Sequence, residues 1–300
     1  MTELIVVSGK GGTGKTSLVG SLAALSQNKV LVDCDVDAAD LHLILQHNVL
    51  RTTKFIGGKQ ASIIEERCTN CGLCEEFCRF DAIKHKSPSD LDGEEKYWID
   101  KHACDGCAAC VRHCPEQAID FKEVISGDWF LSETPHGPLL HARLGLAQAN
   151  SGKLVSLLRQ QARLMAEKRG LDLIIVDGPP GIGCPVIASI TGATYVLIVT
   201  EPSMSAMHDM ERLLQLTTHF RMPTGICINR SDINHDLTSR IENFAKKQKV
   251  NTLGRIPFDP AVTQAQLEGT SVIEHVTNGA SKNISLMWSN LENELRKKGS

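Results

Sequence analysis

Eight residues near the N-terminus constrain this chain more than any others: Gly9-Lys10-Gly11-Gly12-Thr13-Gly14-Lys15-Thr16. They follow an apolar run, Leu4 to Val7, and precede a helical pattern, Leu18 to Leu25. Strand, glycine loop and helix together turn backbone N–H groups and a helix N-terminus toward an anion. The stretch fits two phosphate motifs. As G-x-G-x-x-G it matches a dinucleotide fingerprint, with Asp35 about 20 residues further on. As G-x-x-x-x-G-K-S/T it is a P-loop, and chemistry selects this second reading. Lys15 supplies a point charge for β/γ-phosphates and Thr16 a hydroxyl for Mg²⁺; a pyrophosphate-only site needs neither. Gly11, Gly12, Thr13, Gly14, Lys15, Thr16 and Ser17 form the expected cradle. Lys10 is a second lysine that an ordinary P-loop does not require.

The length of 300 residues allows a full α/β core and a small second module. A net charge of −3 gives no electrostatic footprint for nucleic acid, and 4% aromatics leave few stacking platforms for bases. The N-terminus reads directly into a strand without a signal peptide, and no apolar run approaches the roughly 18 residues of a membrane span. Eleven cysteines in such a chain imply a reducing, cytoplasmic setting and metal rather than disulfides.

Lys29 to Asp33 reads as a buried parallel strand ending in Asp33-Cys34-Asp35-Val36-Asp37. Carboxylates at the carboxyl end of a strand beside a P-loop lie where Mg²⁺ and an attacking water belong, Asp35 foremost. A helix is expected over 38–46. Further on, Leu171 to Asp177 is a second buried strand with a terminal acid, and Asp177 suits a Walker B role toward Mg²⁺. The Gly/Pro loop from Gly178 to Cys184 is a natural switch. Strands are expected at 193–200, 225–230 and 252–256, with helices at 154–168, 206–220 and 283–297; residues 122–152 show only weak patterning. Asn229 ends a strand with an amide suited to pairing with a base. Ile284, Trp288, Leu291 and Leu295 share one face of the last helix and read as a packing stripe rather than a membrane anchor.

Between these segments lies a duplication. Cys68, Cys71, Cys74 and Cys78 recur as Cys104, Cys107, Cys110 and Cys114, each run C-x₂-C-x₂-C-x₃-C. Three thiolates at this spacing wrap one cube and the fourth reaches its neighbour. The spacing assigns Cys68, Cys71, Cys74 and Cys114 to one 4Fe-4S cluster. It assigns Cys78, Cys104, Cys107 and Cys110 to another. Structural zinc ordinarily uses two C-x₂-C pairs instead. Pro115 follows Cys114 as ferredoxin runs usually have it, whereas Arg79 follows Cys78 and makes the two clusters inequivalent or simply replaces a structural proline. His102 and His113 flank the second run as bystanders, since eight thiolates complete two cubes.

These motifs together resemble the MinD/Mrp/nitrogenase iron protein class of P-loop ATPases. Lys10-Gly-Gly-Thr-Gly-Lys15-Thr16 resembles its deviant Walker A box, Asp33-Cys34-Asp35 its second acidic box, and Asp177-Gly-Pro-Pro-Gly-Ile-Gly its switch II. The eight-cysteine insert narrows the likeness to members carrying a ferredoxin domain. The resemblance implies an α/β fold: a mostly parallel sheet flanked by helices. It divides the chain into an ATPase domain, 1–59 and 123–300, and an inserted small α+β 2x4Fe-4S ferredoxin domain, 60–122. It implies that two subunits sandwich ATP, that Lys10 reaches the partner subunit's phosphates, and that Asp35 orients the attacking water. It suggests Asn229 for adenine and Pro257 for the loop beside the base. Asp40 stands where the class often has Asn. Cys184 lies where the nitrogenase iron protein has a cluster ligand, but with Cys34 and Cys227 in strands no second cysteine accompanies it, so it reads as a switch-loop thiol.

The expected cofactors are ATP/ADP, Mg²⁺ and two 4Fe-4S clusters. The expected activity is slow, partner-stimulated ATP hydrolysis in a homodimer, or a heterodimer with a paralogue, coupled to electron transfer with a partner protein. Two alternatives stand beside it: an iron–sulfur carrier, and a MinD-like spatial regulator with redox-sensing clusters. A carrier would want a labile C-x-x-C pair, and none occurs outside the duplicated runs.

Overall fold

A computed structural model describes residues 1–86, 96–145 and 151–299. Part of the polar stretch 84–96 between the two cysteine runs lies outside the described residues. In chain order come β1 (Thr2–Ser8), α1 (Lys15–Leu25) and β2 (Lys29–Asp33). A 3₁₀ turn (Leu41–Leu43) precedes the long strand β3 (Asn48–Ile63). The cysteine-rich segment holds α2 (Leu73–Glu76), β4 (Ile83–Lys86), β5 (Lys96–Ile99) and α3 (Ala109–His113). Then come β6 (Ile119–Thr134), β7 (Gly137–Leu144), α4 (Ser151–Arg169), β8 (Leu173–Pro180), α5 (Cys184–Ile190) and β9 (Tyr195–Thr200). The chain ends with α6 (Met204–His219), β10 (Thr224–Asn229), α7 (His235–Lys247), β11 (Asn251–Ile256), α8 (Pro260–Leu267), α9 (Val272–His275) and α10 (Ala280–Gly299).

Among the described residues one nine-stranded sheet runs β11-β10-β9-β1-β8-β2-β7-β6-β3. From β11 to β7 the pairings are parallel. The central strands β1, β2 and β8 are apolar and buried along most of their length, as a sheet covered on both faces requires. In register, Asp33 on β2 stands beside Asp177 on β8. This pairing places two acids side by side at the carboxyl ends of the strands, where open α/β sheets bind ligands.

The chain divides into two compact units. Unit 1 contains Met1–Thr53, Asp128–Arg143 and the chain from Ser151 onward. One of its core clusters joins α1 and the sheet to α10, where Ile284, Trp288, Leu291 and Leu295 are buried. Unit 2 contains Lys54–Gly127 and a short stretch beginning at Leu144. Its small core is built on Ala61, Ala82, Ile83, Tyr97, Ile99 and Ile119, with Cys74, Cys78, Cys104, Cys110 and Cys114 packed against it.

Three expectations are corrected. The helix over 38–46 reduces to Leu41–Leu43, because the Leu41 N–H is drawn to Asp33 Oδ2 at 3.0 Å and Gln46 has a positive φ of 42°. The weakly patterned segment 122–152 holds β6 and β7, which turn about Gly137 at φ 113°. The helix expected at 154–168 begins earlier, with Ser151, Gly152 and Lys153 already in α4.

Unit 2 keeps the duplication as a pseudo-twofold. Ile64 N–H donates to Ala118 C=O and Asp100 N–H donates to Ala82 C=O, both at 2.7 Å. Residues with positive φ recur in equivalent places: Asn70 with Gly106, Gly72 with Ala108, Asp81 with Gln117. Gly72 and Ala108 are the N-caps of α2 and α3, so the same left-handed step starts each helix after the second cysteine of its run.

Candidate nucleotide site and cysteine pockets

In unit 1 the glycine loop ends at Gly14, a left-handed N-cap with φ 85° that delivers Lys15 into α1. A Cβ at Gly14 would lie 2.3 Å from Asn229 Nδ2. That close approach lets the Asn229 amide donate to Thr13 C=O at 2.8 Å, fastening the loop to the end of β10. The loop borders an open cleft. Gly11 to Ser17, Asp35, Asp37, Asp40, Asn229 and Pro257 all line it, as do Pro179 and Pro180 from the switch segment and Pro185 from α5.

Lys15 is nearly buried, and its Nζ lies 2.6 Å from Asp177 Oδ1 and 3.8 Å from Asp35 Oδ2. Burial by itself lowers Lys15, but Asp177, Asp33 and Asp35 outweigh it and hold the ammonium above its ordinary value. Burial, reinforced by Asp177, pushes Asp33 well above the usual carboxylate range. Asp33 is nevertheless engaged, accepting the backbone N–H groups of Leu41 and Asp35. Burial raises Asp35 to about 6; Lys15 opposes this, and Asp177, Asp37 and Asp40 add to it.

The site fits Mg²⁺ and nucleotide phosphate. Asp177 Oδ2 and Thr13 Oγ1 are buried with no hydrogen-bond partner among the described residues. Leaving such acceptors and donors unsatisfied is costly, and a hydrated cation and a phosphate supply what they lack. Thr16, Asp35 and Asp177 would hold the ion.

Lys10 behaves differently from the rest of the loop. It does not line the cleft. Its Nζ sits 2.8 Å from Glu201 Oε1 and donates to Ser203 Oγ and Ser205 Oγ at 3.4 and 3.3 Å. Glu201 also meets Arg230 Nη1 at 3.0 Å. Arg230, Phe258 and Gln266 line the cleft too, and Gln266 Nε2 donates to Ser17 Oγ at 2.6 Å. Sequence reading passed over these three. Arg230 follows Asn229 directly, so the loop after that strand was the one available signal.

In unit 2 the eight cysteines sort into two pockets. Cys68, Cys71, Cys74 and Cys114 line the first; Cys78, Cys104, Cys107 and Cys110 line the second. The fourth cysteine of each run is thus exchanged. Among the described residues no three His, Cys, Asp or Glu side chains converge as one metal ion would require. The thiols instead surround a volume, the arrangement a multi-iron cube needs. Ala82 N–H donates to Cys78 Sγ at 3.4 Å and Ala118 N–H to Cys114 Sγ at 3.3 Å, a further repeat of the pseudo-twofold. Burial pushes Cys74 up to about 11 and Cys110 upward, so loading metal there must release protons. His102 and His113 are exposed. Cys184 is exposed at the start of α5, while Cys34 and Cys227 are buried.

The fold and cleft define a P-loop nucleotide-binding α/β protein. The chain belongs to the CobQ/CobB/MinD/ParA nucleotide binding domain family, whose model matches residues 4–272. It is 32% identical over 237 residues to an uncharacterized protein of Methanocaldococcus jannaschii, covering 78% of this chain and 79% of that one. The cell division ATPase MinD of Pyrococcus furiosus has a similar fold, with TM-score 0.57 and 17% identity over 98% of this chain and all of that one. A 65-residue stretch is 40% identical to ferredoxin-1 of Chlorobaculum tepidum, covering 20% of this chain and 94% of that protein. Among the described residues no helix is long and apolar enough to cross a membrane.

Proposed function

We propose that this chain is an ATP-hydrolysing dimer in which nucleotide state governs electron exchange between two 4Fe-4S clusters and a partner protein. One observation carries the reading. A single chain combines the Lys15–Asp177 cleft with two four-cysteine pockets whose fourth members are exchanged. The ferredoxin likeness of one stretch supports it.

Cys68, Cys71, Cys74 and Cys114 hold one cluster, and Cys78, Cys104, Cys107 and Cys110 the other. Such clusters supply one-electron transfer at potentials set by charge, hydrogen bonds to sulfur and exposure. The backbone from Gly11 to Ser17 cradles the phosphates of ATP. Lys15 exchanges Asp177 for β/γ-phosphate oxygens, which frees Asp177 to order Mg²⁺ with Thr16. Asp35, ionised at neutral pH and beside Lys15, orients the water that attacks the γ-phosphate. Asn229 and Pro257 flank the base. Lys10 completes the site of the opposing subunit, in a homodimer or with a paralogue. Phosphate loss relaxes the Gly178–Cys184 segment, and ATP drives closure only so far as it binds the closed dimer better than the open one.

Linkage supplies the test. If nucleotide changes the clusters, reduction must change nucleotide affinity by the same factor. ATP affinity of anaerobic protein is to be measured oxidised and after dithionite reduction. A shift of about fivefold or more supports coupling; equal affinities contradict it.

A second reading, a spatial regulator with redox-sensing clusters, draws on the likeness to MinD. It gains nothing from α10, whose Ile284, Trp288, Leu291 and Leu295 are committed to the core.

A further inference from the structure

We propose that Glu201 is a positioning residue that holds Lys10 within its own subunit until a partner's phosphates displace it, and that Arg230 keeps that hold exchangeable. This rests on the reading of Lys10 as the residue that enters the opposing site.

The geometry is a receptacle made by one short segment. Glu201 lies just past β9, and Ser203 is the N-cap of α6. Glu201 Oε1, Ser203 Oγ and Ser205 Oγ all converge on Lys10 Nζ, giving the ammonium three acceptors for its three protons. The backbone beside Lys10 is fixed near them. Its neighbour Gly9 packs so closely on α6 that a Cβ there would stand 2.3 Å from Asp209 Cβ. Gly9 thus packs against α6, the helix whose N-cap Ser203 and first-turn Ser205 receive Lys10.

Glu201 serves two cations. Oε1 faces Lys10 and Oε2 faces Arg230. An arginine sharing the carboxylate neutralises part of its charge and weakens its grip on the lysine. Lys10 remains about one-third exposed, 35%, so the pair is screened and the hold is modest. A receptacle of this strength is suited to exchange. It keeps the Lys10 ammonium paired within its own subunit when no partner is present, and it yields to the stronger charge of a triphosphate across an interface.

The two sides of Glu201 give opposite predictions. Removing its charge frees Lys10; removing Arg230 leaves the carboxylate to Lys10 alone and tightens the hold. Nucleotide-free protein is to be acylated briefly with an acetyl N-hydroxysuccinimide ester. Lys10 labelling is then read by mass spectrometry against the exposed Lys168. Glu201→Gln should raise Lys10 labelling about two- to fivefold, Arg230→Gln should lower it, and Glu201→Asp should stay near wild type. No rise in Glu201→Gln, or an equal rise at Lys168 from a loosened fold, overturns the proposal. So does a rise in Arg230→Gln. A second arm follows ATP-dependent self-association by analytical ultracentrifugation, where Glu201→Gln should lower the ATP concentration required by a similar factor. Wild-type protein that binds ATP without associating removes the cross-subunit role of Lys10. The acylation result still decides whether Glu201 holds the lysine.

Discussion

Lys15 Nζ and Asp177 Oδ1 are 2.6 Å apart and both side chains are buried, the lysine at the start of α1 and the acid on β8. The pair joins the phosphate loop to the strand that leads into the switch segment. A group that draws Lys15 away therefore changes the partners of Asp177 in the same event. Asp177 Oδ2, buried without a partner among the described residues, marks where the second consequence falls.

Lys10 and Lys15 should separate by function. Lys15→Ala removes the buried cation from among Asp33, Asp35 and Asp177 and should abolish nucleotide binding. Lys10→Ala should leave binding of a fluorescent ATP analogue within about twofold while abolishing hydrolysis. Unchanged turnover in Lys10→Ala would remove its role in the opposing site.

The exchanged fourth cysteines make a prediction about pairs. Cys71→Ser and Cys114→Ser attack the same pocket, so their double variant should lose about four iron per chain, no more than either alone. Cys71→Ser with Cys78→Ser attacks both pockets and should lose about eight. Iron analysis of anaerobically purified protein reads the difference. The reverse pattern would mean that each run serves its own cluster.

Ala108 and Gly72 occupy equivalent left-handed positions, at φ 62° and 74°. A side chain in this region costs about 1–2 kcal/mol, and glycine loses some of that gain to its freer unfolded chain. Ala108→Gly should therefore stabilise unit 2 by about 0.5–1 kcal/mol. Gly72→Ala should destabilise it by more than that, since its Cβ would also press on Tyr97 Oη at 2.9 Å. Anaerobic chemical denaturation followed by cluster absorbance measures both.

His141 is 5% exposed, hydrogen-bonded to Ser132 and packed against His42, His47 and Phe130. Burial first, then His42 and His47, depress it to about 3. The unfolded chain therefore takes up a proton that the folded chain refuses. This contribution to stability is full above the ordinary histidine value near 6.5 and is lost as pH falls from there toward 3, at about 1.4 kcal/mol per pH unit. His141→Gln should flatten the stability profile in that window relative to wild type; an unchanged slope between pH 6.5 and 4.5 would contradict it.

What the sequence made legible was local. The P-loop and cysteine runs depend on spacing over fewer than twenty residues, and buried strands such as β8 depend on continuous apolar runs. What it did not reveal was set by pairing across the chain. The long strand β3 is exposed at every residue from Asn48 to Arg51 and carries no clean alternation there; pairing within the sheet makes it a strand. The Ala38–Gln46 pattern looked helical, but Asp33 competes for the Leu41 N–H. Lys10 was visible as an extra lysine, while its holder Glu201 lies 191 positions away and Arg230 arrives from the end of another strand.

The central claim is that nucleotide and clusters act on each other. A potentiometric titration of anaerobic protein, followed by electron paramagnetic resonance, is to be run without nucleotide, with ADP and with ATP in the presence of Mg²⁺. The account predicts two reducible clusters of unequal potential, at least one of which shifts between the nucleotide-free and ATP-bound states. Two clusters whose potentials are identical in all three conditions would contradict it.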